Sequence, residues 1–299
     1  MEERILKALC EKGIEYITDE NVAMRSTFKI GGVSALSVYP KSVYDLCDAV
    51  KILKSAGVKY EIIGNASNML FAFDRYNGAL IFTSGINEYS IDGELVYASC
   101  GTSLVRLANA AKENSLSGLE FASGIPARIG GAIAMNAGAH GSQMSDIVEY
   151  TDAFDTESFE KIRLYDNGFG YRQSVFLKDK SLICLGAKLN LKKGESIAIA
   201  EKMKENNEKR RASQPLELPS AGSYFKRPEN DFAGRLIEEC GLKGERVGGA
   251  EVSPKHAGFI VNVGGASYHD VLSLEKKIME RVASRFGVVL CREVRLVED

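Results

Sequence analysis

The chain has 299 residues, a formal charge of −2 and 26% charged side chains, with a pI near 6.1. That length exceeds what one hydrophobic core usually organises, so two or three lobes around a cleft are expected. The charge balance excludes a general basic surface for nucleic acid and leaves local cationic pockets for small anions.

In chain order, Ser42 opens a helical pattern of Val43, Leu46, Cys47, Val50 and Leu53 that stops at Gly57. Strands are predicted at Tyr60–Ile63, Met69–Phe71, Leu80–Phe82 and Val96–Ser99. Thr102 or Ser103 caps a helix through Leu104, Leu107, Ala108 and Ala111. From Gly124 to Ala139 nine of sixteen residues are Gly or Ala, too small-sided for an ordinary core helix and too apolar for a linker. Short β-like runs follow from Ile147 to Leu191, and Ser196–Arg211 reads as a charged helix ending at a boundary around Gln214–Pro219. Asp231 is a candidate cap for a helix with Phe232, Leu236, Ile237 and Cys240. Ser267 and Asp270 form a capping-box pattern before Val271, Leu274, Ile278, Val282 and Phe286. The last run, Val288–Val297, reads as a strand with Glu293 and Arg295 on one face.

Six cysteines without a Cys-x-x-Cys pair point to free thiols in a reducing cytosol. The opening Met1-Glu2-Glu3-Arg4 and the polar Glu11-Lys12 have no signal-peptide or spanning pattern, so a cytoplasmic protein without membrane partners is expected. His140, His256 and His269 stand far apart, and no metal site is expected.

Missing side chains between Gly124 and Ala139 would let backbone N–H groups approach a pyrophosphate, although a tightly packed turn explains the same composition. Gly64-Asn65-Ala66-Ser67-Asn68 offers a second wall. Neither a P-loop nor a Gly-x-Gly-x-x-Gly between strand and helix is present. Ser223 follows a small-residue turn, Arg172 sits in Phe169-Gly170-Tyr171-Arg172, and Glu293 lies in the last run. Singly these read as a turn residue, an ion-pair partner and a solvated charge; together they make a proton-transfer and anion-stabilising set. Arg210, Arg211, Lys226 and Arg227 flank the boundary in a pattern suited to a diphosphate.

Eight segments, in order, resemble the UDP-N-acetylenolpyruvoylglucosamine reductase family, also called UDP-N-acetylmuramate dehydrogenases. They are Thr27–Gly32, Gly64–Asn68, Gly124–Ala139, Phe169–Arg172, Gly222–Lys226, Gly248–Ala250, Lys255–Phe259 and Arg292–Arg295. The short interval from Phe176 to Ala187 is similar to the branch without an extra tyrosine loop. Ala66 and Ala127 stand where glycine is usual, and His140 where tyrosine is common.

The resemblance implies an α+β architecture: a two-lobed FAD-binding domain of the vanillyl-alcohol-oxidase type over residues 1–205 (lobes about 1–83 and 84–205), and a smaller α+β substrate-binding domain over 206–299. Its last strand, about 288–297, would return to the first lobe. The resemblance further implies non-covalent FAD, NADPH as electron donor, a UDP-sugar substrate and a monomer. By the same carry-over Ser223 donates a proton, while Arg172 and Glu293 stabilise an enol intermediate. Gly64, Asn65, Ala66, Ser67, Asn68, Gly124, Ile125, Gly130, Gly131, Ala132, Asn136 and Gly138 would line FAD, and Tyr171, Arg210 and Lys226 the substrate. Two rivals are another flavoenzyme of the same fold, such as an alcohol or lactone oxidase, and a catalytically silent sugar-nucleotide binding module.

Overall fold

The computed structural model describes residues 3–299, so Met1 and Glu2 of the opening segment lie outside the described residues. Two units divide the chain. The first takes residues up to Thr18, then Ala35–Asn65 and Asn77–Lys209; the second takes Asp19–Ser34, Ala66–Tyr76 and Arg210–Asp299.

In the first unit, helix Val43–Ser55 starts at a full capping box, in which Ser42 accepts from the Asp45 amide and Asp45 accepts from the Ser42 amide. Leu46, Cys47, Val50 and Leu53 then fall on one buried stripe. Tyr60–Ile63 pairs in parallel with the strand Arg75–Phe82, in register from Tyr60↔Ala79 to Ile63↔Phe82. The unit also holds an antiparallel five-stranded sheet built on Val148–Asp155 and Leu182–Asn190. The two runs expected at 181–185 and 187–191 are thus one strand, and a register irregularity between Asp152 and Ala153 lies opposite its middle. Helix Ser196–Ser213 turns Ile199, Met203 and Asn206 inward at helical spacing and keeps its charges outside.

The second unit is built on the antiparallel sheet of Ser220–Ser223, Phe259–Asn262, Ala250–Val252 and Arg246–Val247. Helix Tyr268–Phe286 buries Val271, Leu274, Ile278 and Val282 within the same core as Ala250, Val252 and Ile260. Each such aliphatic side chain contributes roughly 1.5–3 kcal/mol on burial. Ser267 and Asp270 form the expected capping box, and Gly287 ends the helix at φ 68°, the left-handed conformation glycine adopts without strain.

Two helix and strand ends differ from expectation. The helix expected behind Asp231 is capped at Phe232; the Asp231 carboxylate accepts from the Phe232 amide and grips Arg235, four residues on. Only Arg295–Val297 of the last run is a strand, paired in parallel with Met69–Phe71. Arg292 forms an isolated bridge to Phe225 instead. The segment changes partner between Arg292 and Arg295.

Candidate active site

In the second unit, Ser223 is aimed by a bulge. Ser220 faces Val261 and Ser223 faces Phe259, so three steps on one strand oppose two on the other. Gly222, at φ 80°, absorbs the extra residue. Without the bulge Ala221 and Ser223 would share a face; with it Ala221 and Tyr224 are buried while Ser223 is exposed.

Glu293 joins this place through its backbone. Its amide donates to the Tyr224 carbonyl at 2.9 Å, and its carbonyl accepts from the Asn68 side chain at 3.2 Å. The Arg295 amide in turn donates to the Asn68 carbonyl at 3.0 Å. The second unit therefore brings together Asn68, Ser223 and Glu293, three residues singled out from the sequence. The Lys226 amide donates to the Cys291 carbonyl at 2.8 Å and continues the same stitching.

Arg172 lies in the first unit, in a two-residue hairpin. Gly170 and Gln173 exchange hydrogen bonds of 3.0 and 3.2 Å around Tyr171 and Arg172, and Arg172 is left-handed at φ 53°. The guanidinium reaches the Gly138 carbonyl at 3.4 Å. Asn136, buried and at φ 41°, ties the same pieces together: its amide nitrogen donates to Gly170 at 3.1 Å, and its oxygen accepts from the Ser145 amide at 2.9 Å. Tyr171 is 53% exposed.

The glycine-rich stretch contains a short helix, Ile129–Ala134. Its glycines serve different ends. At Gly130 a Cβ would come 3.1 Å from that of Cys100, and the Gly130 amide donates to the Cys100 carbonyl at 2.8 Å, so this position is a packing site. At Gly138 a Cβ would collide with Gln143 at 2.7 Å. At Gly131 a Cβ would meet nothing within 4 Å and the residue is exposed, which leaves an open, side-chain-free face.

Arg128, which sequence reasoning passed over, stands beside these glycines. It donates to the Gly101 carbonyl at 3.0 Å, and its Cβ lies 3.4 Å from where a Cβ on Gly64 would stand. Asn65 is fixed nearby by a 2.8 Å bond to the Pro126 carbonyl. Burial pulls the Arg128 pKa below the ordinary arginine value, and no carboxylate lies within ion-pair distance among the described residues. The available clue was a lone guanidinium in a run otherwise nearly without side chains. Arg210 is likewise half-buried, with its pKa lowered by desolvation.

The loop after Tyr60–Ile63 turns at Ala66, which is left-handed at φ 45°, a conformation glycine adopts without strain. The backbone N–H groups of Asn65, Ala66, Ser67 and Asn68 donate to no acceptor among the described residues. Within the first unit, a desolvated guanidinium at Arg128 beside Gly64 and an open, side-chain-free face at Gly131 suit an anionic group and a flat ring, so the residues present there fit part of a dinucleotide.

Comparison with known proteins agrees. Residues 34–158 match an FAD binding domain family, and residues 214–297 match the C-terminal domain of UDP-N-acetylenolpyruvoylglucosamine reductase. The UDP-N-acetylenolpyruvoylglucosamine reductase of Caldicellulosiruptor bescii is 43% identical over 97% of this chain and 93% of its own. That of Bacillus subtilis is 38% identical over 99% and 98%. The crystal structure of the enzyme from Thermus caldophilus superposes with a TM-score of 0.80 at 32% identity, covering 95% of this chain and 99% of that one. The fold is thus that of a two-domain FAD-binding oxidoreductase of mixed α and β structure. The chain belongs to the UDP-N-acetylenolpyruvoylglucosamine reductase family. Among the described residues, no helix is long and apolar enough to cross a membrane.

Proposed function

We propose that this chain uses NADPH and non-covalent FAD to reduce the enolpyruvyl group of UDP-N-acetylglucosamine-enolpyruvate to UDP-N-acetylmuramate, in peptidoglycan precursor synthesis. The observation that carries this reading is likeness to reductases of that name along nearly the whole chain, 97% of it at 43% identity. FAD, held by the glycine-rich segments, would supply the hydride-transfer chemistry between NADPH and C3 of the enolpyruvyl group. A proton must then reach C2.

Ser223 gives that proton; the bulge at Gly222 that turns it outward supports the role. Arg172 and Glu293 stabilise the enol formed before protonation. A preorganised guanidinium on developing carboxylate-side charge is worth roughly 3–4 kcal/mol. The left-handed hairpin and the Gly138 contact restrict the directions Arg172 can take. Gly64, Asn65, Ala66, Ser67 and Asn68 hold FAD with Gly124, Ile125, Gly130, Gly131, Ala132, Asn136 and Gly138, and Arg128 joins them. Tyr171, Arg210 and Lys226 bind the sugar nucleotide.

We assign residues 1–205 to FAD binding and 206–299 to substrate binding. The pairing of Arg295–Val297 with Met69–Phe71 supports a final segment that returns to the first part of the sequence. The enzyme acts as a monomer in the cytoplasm, where NADPH and nucleotide sugars are found, without nucleic-acid or membrane partners.

Consumption of NADPH by the purified protein tests the reaction. Beyond the single equivalent that reduces bound flavin, anaerobic consumption is expected only when the enolpyruvyl sugar nucleotide is added, and mass spectrometry should find a product heavier by two hydrogens. Further NADPH loss without that product contradicts the assignment.

A further inference from the structure

A buried triad links the two segments that carry Ser223 and Glu293. Glu275, on helix Tyr268–Phe286, is 4% exposed. Its carboxylate accepts from the Tyr224 hydroxyl at 2.9 Å. It also accepts from Arg292, whose Nε donates at 2.8 and 3.0 Å and whose Nη2 donates at 2.8 Å. Tyr224 directly follows Ser223, and Arg292 directly precedes Glu293. One carboxylate thus holds both neighbours of the proposed proton donor and enol-stabilising acid, and the 2.9 Å bond from the Glu293 amide to the Tyr224 carbonyl closes the ring.

The arrangement is directional. A guanidinium fork on a carboxylate tolerates little rotation, and a slip of either segment by one residue would remove Tyr224 or Arg292 from Glu275. Burial, and then the charge of Glu275 and its hydrogen bond, hold the Tyr224 pKa above the usual tyrosine range, so the hydroxyl remains a donor. Tyr224 is 1% exposed, and because it points into the core, the residue before it is set outward. None of these three side chains is among the groups proposed to touch the substrate.

We propose that Glu275 is a positioning residue: through Tyr224 and Arg292 it fixes the register between Ser223 and Glu293, and so sets the rate of proton delivery to the enolpyruvyl carbon without touching substrate. The inference rests on the reductase reading above.

Glu275→Gln keeps the shape but weakens the fork, and Tyr224→Phe removes a single hydroxyl; the second variant carries the test if the first does not fold. In anaerobic stopped-flow with the FAD-loaded full chain, Glu275→Gln should slow flavin reoxidation by the enolpyruvyl sugar nucleotide about tenfold or more. Bleaching by NADPH should stay within about twofold of wild type. Tyr224→Phe should show the same one-sided loss at a smaller size. Hydrogen exchange should also quicken about tenfold at the Glu293 and Lys226 amides of Glu275→Gln, which report the stitched segments whether or not turnover occurs. Unchanged exchange at those amides, or equal slowing of both half-reactions, overturns the proposal. If wild-type protein bleaches but never reoxidises, the reductase reading fails, and amide exchange alone decides whether Glu275 sets the register.

Discussion

Arg128 donates to the Gly101 carbonyl at 3.0 Å, and the stem of this desolvated side chain packs beside Gly64, its Cβ 3.4 Å from where a Cβ on that glycine would stand. A cation placed there without a carboxylate is poised for an anionic ligand. Arg128→Met keeps the stem and removes the charge. A charged hydrogen bond contributes about 1.5–3 kcal/mol, so the FAD dissociation constant should rise roughly 10- to 100-fold. Calorimetric titration of the apoprotein measures it; an unchanged constant rules Arg128 out of the cofactor site.

Arg172→Lys tests the planar fork. A point charge cannot reproduce two parallel donors, and loss of about 3 kcal/mol of transition-state stabilisation predicts a drop in kcat of about 10²-fold. The lysine meets the same left-handed backbone, φ 53°, so melting should change little. Steady-state kinetics and a thermal melt separate the two effects. Retained turnover would remove Arg172 from the enol-stabilising role.

Ala66 occupies a left-handed site at φ 45°. The strain on a residue with a Cβ there is about 1–2 kcal/mol, and the extra unfolded-state entropy of glycine takes back about 0.4–1 kcal/mol. Ala66→Gly is therefore expected to be neutral or stabilising by up to about 1.6 kcal/mol, a rise of a few degrees at most in Tm. A clear fall in Tm would contradict this account of the loop.

Alkaline pH should destabilise the first unit through Cys100. Burial pushes its pKa up to about 12, whereas an exposed thiol ionises near ~8.5. Between those values the folded chain keeps a proton that the unfolded chain has lost, so stability is full below the unfolded pKa and falls as pH rises through this window. The slope from one such group is about 1.4 kcal/mol per pH unit. Thermal melts from neutral to alkaline pH should show a decline that Cys100→Ala partly removes; an identical decline in both proteins excludes Cys100 as a cause.

What could be read in advance was local. Ser42 as a cap, and Ser267 with Asp270 as a capping box, announced their helices because such signals lie within four residues of the helix start. The small residues of 124–139 announced an unusual backbone, yet which glycine packs and which stays open depends on Cys100, far away in sequence. Asp231 lies one residue outside the cap it was expected to form, because its carboxylate also grips Arg235. Tyr224, Glu275 and Arg292 were invisible as a set, since separations of 51 and 17 residues leave no periodic trace. The interleaving of 19–34 and 66–76 with 210–299 was hidden for the same reason: it is fixed by long-range contacts such as Met69 with Arg295.

The central claim is that Ser223 supplies the proton that completes reduction of the enolpyruvyl group. The most direct measurement is paired anaerobic stopped-flow of wild-type protein and Ser223→Ala, following flavin absorbance first with NADPH and then with the enolpyruvyl sugar nucleotide. Both proteins should bleach at similar rates. Wild type should then recover its colour on adding the sugar nucleotide, while recovery in the variant slows by about 10²–10⁴-fold, the usual worth of a positioned proton donor. Recovery at the wild-type rate, or equal slowing of both steps, would contradict the claim.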